Sequence, residues 1–462
     1  MTKKYREIRD PIHSFIQRSE LEEKIIDLPV FQRLRGIKQL AMANLAYPGA
    51  LHTRFEHSLG VMHIAGRLAE RLVSDHEIRK LIRLAALLHD IGHGPFSHVS
   101  ENILEKYYDA SKVIPKSKDK IHELITANII QNNSELASLL SKHDCDRIVG
   151  YLQGQRGESI VKDIISGPLD GDKQDYLLRD SYYCGVKYGI FDIDRLIGIL
   201  RAHQYEHDRS LAVSRDGLYV IEQFVLAKYH MTTQVYRHKV RLISDMMITR
   251  ALELGIEVDG LDFLKKLYCY DGTQAFIDNY LQWDDARLSS EILYSNREGY
   301  ALDFFRRLQR RNLFKVVFSK SLREFTAHER DVLSTLSKLP NLRKKIESEI
   351  TTYLKNDKQE IIDHNYVIVN VFSIKSVRVQ SRNDEGSILI LTDDQPRMFE
   401  NESTLFRSIN ESENDAFIEV YAPIAFVDEV KKMQHRDKCK KEIHEIILDI
   451  LKNNVNYEQM GD

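Results

Sequence analysis

The stretch Leu87-Leu88-His89-Asp90-Ile91-Gly92-His93-Gly94-Pro95-Phe96-Ser97-His98 concentrates side chains that can do chemistry. An apolar helical run ends in an adjacent His-Asp pair, and two more histidines, His93 and His98, follow closely. A neutral imidazole nitrogen beside a charged carboxylate oxygen suits a divalent transition metal or Mg2+. The pair alone carries little, because such dipeptides occur by chance; its partners decide. Upstream lies His52-Thr53-Arg54-Phe55-Glu56-His57-Ser58-Leu59-Gly60. There His57 begins an amphipathic helix, a position from which its ring can face the helix carrying His89. Downstream lies the carboxylate-rich Leu169-Asp170-Gly171-Asp172-Lys173-Gln174-Asp175-Tyr176-Leu177-Leu178-Arg179-Asp180.

Such groups need a framework, and the first two thirds of the chain read as successive helices. Over 78–90, Ile78, Leu81, Ile82, Ala85, Leu88 and His89 recur at three- and four-residue steps, with Arg79, Lys80 and Arg83 on the wet face. Residues 55–73 repeat the pattern through Leu59, Met62, His63, Gly66, Leu68 and Leu72. The charged segment 108–120 breaks it and predicts a mobile loop. Leu211 and Val213, a turn at Arg215-Asp216-Gly217, and Leu218-Tyr219-Val220 predict a short hairpin. From about residue 355 strand-like runs appear: 366–371, 376–379, 388–391 and 417–421, with a turn at Ser381–Gly386. A last helix carries Ile443, Ile446, Ile447, Ile450 and Leu451 on one stripe. The expectation is a mainly α protein, with a helical body over 1–350 and a smaller α/β lobe over 351–462.

At 462 residues the chain has room for two or three domains, or one helical body with an appendage. Its 43% hydrophobic and 29% charged residues are ordinary for a globular protein, and a net charge of −3 provides no global field for nucleic acid. Four scattered cysteines fit reduced thiols rather than a disulfide framework. No apolar leader follows Met1, and no window of about 18 apolar residues occurs. These features predict a soluble cytoplasmic protein with no membrane partner.

A histidine, then His-Asp, then a distant aspartate is the ligand order of the HD phosphohydrolase superfamily, which this chain resembles. The resemblance implies an HD-domain helical bundle in which His57, His89, Asp90 and Asp172 bind one divalent ion; Mg, Mn, Fe and Zn are all chemically admissible. Two imidazoles and two carboxylates leave positions open for water and a phosphate oxygen, as a hydrolytic ion needs.

The likeness extends to Asp10-Pro11-Ile12-His13, Phe31-Gln32-Arg33-Leu34-Arg35, Gln39-Leu40, Arg54–Val61, His89–His98, His122-Glu123, Asp172-Lys173, Asp175-Tyr176 and Tyr236-Arg237-His238-Lys239, in that order. Over roughly residues 5–320 the chain looks like the catalytic core of the deoxynucleoside triphosphate triphosphohydrolases, with no SAM domain recognised. That family cleaves a dNTP at the α-phosphate, giving deoxynucleoside and inorganic triphosphate. On this reading Arg54 and Lys173 meet the polyphosphate. His122 is the general acid for the leaving 5′-oxygen, with Glu123 orienting its ring. His93 and His98 donate to phosphate oxygens or hold the acid, and Glu101 stands behind them. The resemblance places Gln39 and Asp180 near the sugar 3′-hydroxyl, with Leu40 and Tyr236 where a ribose 2′-hydroxyl would sit and Tyr176 lining the same pocket. Asp27, Gln32 and Arg35 match a GTP or dNTP effector site at the interface of a homotetramer. Arg9 stands where relatives often carry Asn. Arg306, Arg307, Arg310, Arg311 and Lys315 form a basic run that fits either an activator's phosphates or a solvated helix face.

Alternatives from other classes remain: another HD phosphohydrolase or phosphodiesterase such as a single-stranded nucleic-acid nuclease, and a nucleotide-sensing scaffold with a vestigial site. Alarmone hydrolases carry acidic residues soon after the pair, where this chain has Gly92-His93-Gly94-Pro95.

Overall fold

The computed structural model describes residues 6–115, 120–155, 159–205, 208–294, 298–356, 363–374, 388–393, 395–410, 415–423 and 433–457. The fold is mainly α. By compactness the described residues form two units: 6–241, 252–302 and 388–410 in the first, and 242–251, 303–374 and 415–457 in the second. Residues 303–350 therefore pack with the C-terminal segments, and 388–410 with the N-terminal ones.

In the first unit the helix Arg54–Leu72 is the axis. Thr53 and Glu56 close a capping box at its start, and residues on every side of it are buried. It packs against the helices His76–Leu88 and Gly171–Cys184. Asp75 caps the former, accepting from the backbone of Glu77 and Ile78. Asp170 caps the latter through Lys173 N, and Gly185, at φ +70°, ends it in the left-handed conformation. Alternating apolar periodicity thus delivers three capped helices whose ends meet at one place. The helices His98–Tyr107 and Ile121–Asn132 complete that corner. An antiparallel hairpin, Arg6–Asp10 with Ser14–Arg18, precedes them, its tight turn closed by Ser14 at φ +61°.

The second unit holds an antiparallel sheet with Asp415–Ala422 between Lys315–Ser321 and Ile368–Ile374, and the helices Pro340–Asn356 and Met433–Tyr457. Among the described residues no helix is long and apolar enough to cross a membrane.

Three local expectations need correction. The hairpin lies at Leu200–Tyr205 and Asp208–Ser214, while Leu218-Tyr219-Val220 opens the helix Leu218–Met231. A short apolar run reads equally as strand or buried helix, and the buried Ile221, Phe224 and Val225 beyond it set the helical period. Leu389–Leu391 extends that hairpin in parallel rather than joining the sheet of the second unit. The strands at 6–18 and 315–321 have charged, weakly alternating sequences and carried no signal. The strand expected at 376–379 and the turn at 381–386 lie outside the described residues, as do 116–119 of the loop expected at 108–120.

Candidate metal centre and active site

The helix His76–Leu88 stops at the His-Asp pair, with His89 as its C-cap. The corner that follows needs its glycines. A Cβ on Gly92 would sit 2.5 Å from His122 O and Thr126 N, and one on Gly94 would sit 2.6 Å from the Tyr280 hydroxyl. Phe96 and Ser97 take positive φ values of 60° and 51°. The buried Asp285 accepts the Phe96 N–H at 2.7 Å and the Lys38 N–H at 3.1 Å, fixing this tight path.

Four side chains from three segments meet at the corner. Asp172 Oδ1 lies 2.9 Å from His57 Nε2 and 3.9 Å from His89 Nε2. Asp90 Oδ1 lies 3.2 Å from His89 Nε2, and its Oδ2 lies 3.8 Å from His57 Nε2. His57, His89 and Asp90 present ligand atoms within 4.8 Å of one another, so they could hold a metal ion.

The donor chemistry fits a cation. His89 Nδ1 donates to the Ala86 carbonyl at 2.8 Å, which leaves the Nε2 lone pair of the neutral ring aimed inward. That Nε2 is buried without a hydrogen-bond partner and faces two carboxylates. Lone pairs converging on lone pairs repel unless a cation lies between them. His57 Nδ1 donates to Asp175 Oδ2 at 2.8 Å, turning its Nε2 to the same point. Burial alone would lower the His57 pKa, but the bonds to Asp172 and Asp175 push it up to about 10. Without an ion, a proton between His57 and Asp172 supplies the positive charge. Burial would raise the Asp90 pKa, yet Arg54, His89 and His93 hold it well below the usual carboxylate range.

A cavity of about 600 Å3 is lined by His89, Asp90 and Asp172 of this cluster, within the size range of small-molecule sites. Arg54, His93, His98, His122, Glu123 and Lys173 line its polar end. Arg54 is buried, and its guanidinium donates to Asp90 Oδ2 and Ser97 Oγ while Nη2 has no partner. Lys173 donates to Asp170 Oδ2 and to the Gly167 carbonyl, so its ammonium is already engaged. Glu101 Oε1 is a hub for three imidazoles: His98 Nδ1 at 2.8 Å, His93 Nδ1 at 3.3 Å and His122 Nδ1 at 3.5 Å. The His93 and His122 rings stack at 4.3 Å. Burial, reinforced by the charge on Arg54, pushes His93 down to about 4. Burial and its cationic neighbours likewise hold His122 well below its usual value, so both rings are neutral.

Glu123 does not orient His122. Its carboxylate turns back to the Lys120 N–H at the helix start, and consecutive helical residues do not face each other. The carboxylate beside the ring is Glu101.

Gln39, Leu40, Tyr176, Asp180 and Tyr236 also line the cavity. Asp180 is 2% exposed, accepting from Tyr236 OH at 2.7 Å on one oxygen and meeting His52 Nε2 at 2.7 Å on the other. The Gln39 Oε1 is buried without a partner. Leu40 packs with Ala43, Ala50 and Tyr236, and the Tyr176 and Tyr236 rings meet edge to face at 6.0 Å. Three groups here were not singled out from sequence: Asp175, His52 and the cavity-lining Arg241. A signal existed for Asp175, which follows Asp172 by three helical positions and precedes Arg179 by four.

Asp27, Gln32 and Arg35 lie outside this cavity. Arg35 Nε donates to Gln32 Oε1 at 2.8 Å, Gln32 Nε2 donates to the Ile26 carbonyl at 2.7 Å, and Asp27 caps the helix Glu20–Ile26. Of the basic run, Arg306, Arg310, Arg311 and Lys315 are exposed, whereas Arg307 donates to Asp303.

Residues 54–180 match the family model for the HD domain, and 191–438 match that for the HD associated region. The chain belongs to the HD-domain phosphohydrolase family. A relative of this HD protein in Methanocaldococcus jannaschii, an uncharacterized protein, is 31% identical over 96% of this chain and 87% of its own length. Human SAMHD1, a deoxynucleoside triphosphate triphosphohydrolase, is 30% identical over 67% of this chain, which spans 54% of that enzyme. The crystal structure of a hypothetical protein from Aquifex aeolicus superposes with a TM-score of 0.66 at 30% identity, covering 95% of this HD protein and all of that chain.

Proposed function

We propose that this protein hydrolyses deoxynucleoside triphosphates to deoxynucleoside and inorganic triphosphate. One observation carries the reading: a single cavity is lined both by His89, Asp90 and Asp172 of the candidate metal cluster and by Leu40, Asp180 and Tyr236. Polyphosphate chemistry fits the first group and a sugar without a 2′-hydroxyl fits the second.

His57, His89, Asp90 and Asp172 would hold a divalent ion, which supplies charge for a phosphoryl oxygen and acidifies a water. Arg54 has one guanidinium nitrogen to spare for an oxygen of the triphosphate while the other two hold Asp90 and Ser97. Lys173 reaches a phosphate by exchanging Asp170 for it. Water attacks the α-phosphorus, the bond to the 5′-oxygen breaks, and the leaving oxygen takes a proton from His122. That ring is neutral in the free protein; a substrate with about four negative charges raises its pKa, so the acid is armed by the molecule it serves. Glu101 balances the proton across His93, His98 and His122. At the sugar end, the free Gln39 acceptor and Asp180 meet the 3′-hydroxyl. A 2′-hydroxyl against Leu40 would be buried without a partner, which disfavours ribonucleotides.

The test is incubation of purified protein and Mn2+ with the deoxy- and ribonucleoside triphosphates, followed by product separation. Deoxynucleoside plus triphosphate supports the reading. Diphosphate plus orthophosphate, or cleavage confined to single-stranded oligonucleotides, overturns it. GTP or a second dNTP in the same assay, with light scattering for a tetramer, tests the effector role of Asp27, Gln32 and Arg35; unchanged rate and mass remove that role.

A further inference from the structure

Behind His57, on the side away from the cavity, lies a buried polar network. Asp175, 0% exposed, receives four N–H groups on its two oxygens. His57 Nδ1 and Arg179 Nε reach Oδ2, both at 2.8 Å. His13 Nε2 at 2.6 Å and Arg179 Nη2 at 2.9 Å reach Oδ1. Those four donors use the lone pairs of a carboxylate in full. Arg179 is fixed in turn by Asp10 Oδ2 at 2.9 Å, while Asp10 Oδ1 accepts the backbone N–H groups of Ile12 and His13. The turn of the N-terminal hairpin therefore grips both members of the Asp175–Arg179 pair, Asp10 holding the guanidinium and His13 the carboxylate. Gly60 leaves the room for this, since a Cβ there would fall 1.9 Å from Asp175 Oδ1.

We infer that the hairpin turn is part of the metal centre: His13 is a positioning residue that, through Asp175, sets the orientation and basicity of the ligand His57. The inference rests on the reading of His57 as a metal ligand. A purely structural hairpin needs only a buried anchor, which Asp10 and Arg179 already provide. A His13 N–H on the very oxygen pair that receives His57 Nδ1 does something more. Together with the two-pronged Arg179, it holds the carboxylate at Oδ1 against rotation about its Cβ–Cγ bond, so Oδ2 stays in line with the His57 ring. The His57 Nε2 lone pair then stays on the point where Asp172, His89 and Asp90 converge. Loss of a partner that orients a metal-bound histidine weakens metal binding about 10- to 100-fold. His13 stands one bond further out, which sets the expectation at about 10-fold.

The test is Mn2+ affinity, measured on the full chain by equilibrium dialysis with free Mn2+ read by electron paramagnetic resonance. The variants are His13→Ala, Asp175→Asn and the double variant, with circular dichroism as the check of folding. His13→Ala is expected to bind Mn2+ about 10-fold more weakly, and in the Asp175→Asn background to add less than about 2-fold, because the route is already cut. Should His13→Ala fail to fold, His13→Phe and His13→Gln take its place. The first fills the space without a donor and is expected to lose affinity, and the second keeps an N–H and is expected to retain most of it. His13 variants that bind like wild type, or losses that multiply in the double variant, overturn the inference and leave the metal centre standing. Wild-type protein that binds no Mn2+ overturns both.

Discussion

Gly92 is the position where a single methyl group tests how His122, the proposed acid, is held against the proposed metal ligands. A Cβ there would lie 2.4 Å from Thr126 Oγ1, 2.5 Å from His122 O and 2.5 Å from Thr126 N. Ordinary van der Waals contact begins at 3.4 Å, so the helix Ile121–Asn132 and the Gly92 corner must move apart by about 1 Å in Gly92→Ala. Two of the three obstructions are backbone, and trimming Thr126 cannot relieve them. The Gly92 N–H bond to Thr126 Oγ1, 3.1 Å, stretches as well. Overpacking of this kind costs about 1–3 kcal/mol of stability, which leaves a folded protein. The heavier effect falls on His122, in the first turn of the displaced helix, because about 1 Å of misplacement of a reacting group costs on the order of 100-fold in rate. The assay is kcat at saturating dNTP and Mn2+, with metal content and thermal unfolding measured on the same preparation. The expected result is a kcat about 100-fold down with Mn2+ still bound, and no recovery in Gly92→Ala with Thr126→Ala. A variant that is folded, metal-loaded and within about 3-fold of wild-type kcat refutes the assignment of His122, since two of the three close contacts are backbone of the helix that carries it.

Leu40→Ala opens the wall against the sugar, so the ratio of kcat/KM for a dNTP over the matching NTP is expected to fall about 10-fold; an unchanged ratio removes Leu40 from sugar selection. Chelation followed by dialysis is expected to abolish turnover and lower the unfolding temperature, with Mn2+ restoring both. Stabilisation at about 1,000 times Kd is worth about 4 kcal/mol, so equal melting with and without Mn2+ speaks against a bound ion. Burial pushes Asp285 up to about 6 from 3.8. The folded state therefore holds that proton more tightly than the unfolded chain, and the contribution is complete below about pH 4 and lost as pH rises through about 6. Asp285→Asn removes the dependence, so in urea unfolding its stability relative to wild type should improve by about 2 kcal/mol between pH 4.5 and 7. A pH-independent difference contradicts the protonated state.

Legibility in the sequence followed the range of the forces involved. The helices that carry His57 and His89 were readable because apolar spacing over a dozen residues is a local record of which face is buried. Residues that end up at one corner could be named from the order of three segments, although nothing local says that Asp172 approaches His57 to 2.9 Å across 115 residues. Errors arose where a short-range cue competed with a distant partner. Glu123, adjacent to His122, was the nearest carboxylate in sequence, but the helix turns it toward its own N-terminus and brings Glu101 to the ring instead. The sequence also carried no sign that Lys173, expected to meet the polyphosphate, is held by Asp170, three residues back on the same helical turn. His13 and His52 lay in quoted motifs without a role, since their partners Asp175 and Asp180 stand 162 and 128 residues away.

The same contrast explains why candidate ligands are easier to name from sequence than their supports. A ligand must be a histidine or a carboxylate, so chemical type narrows the candidates, and the order of segments in the family the chain resembles selects among them. A support needs only to fill a hydrogen-bonding vacancy in a buried place, and Asp10, His13 and Arg179 acquire that meaning only when the hairpin, the His57 helix and the Asp172 helix are packed together. Burial makes such supports consequential. Asp175 and Arg179 are both 0% exposed, so in the intact protein no solvent shares their hydrogen bonds, and a lost partner leaves a buried polar group to be satisfied.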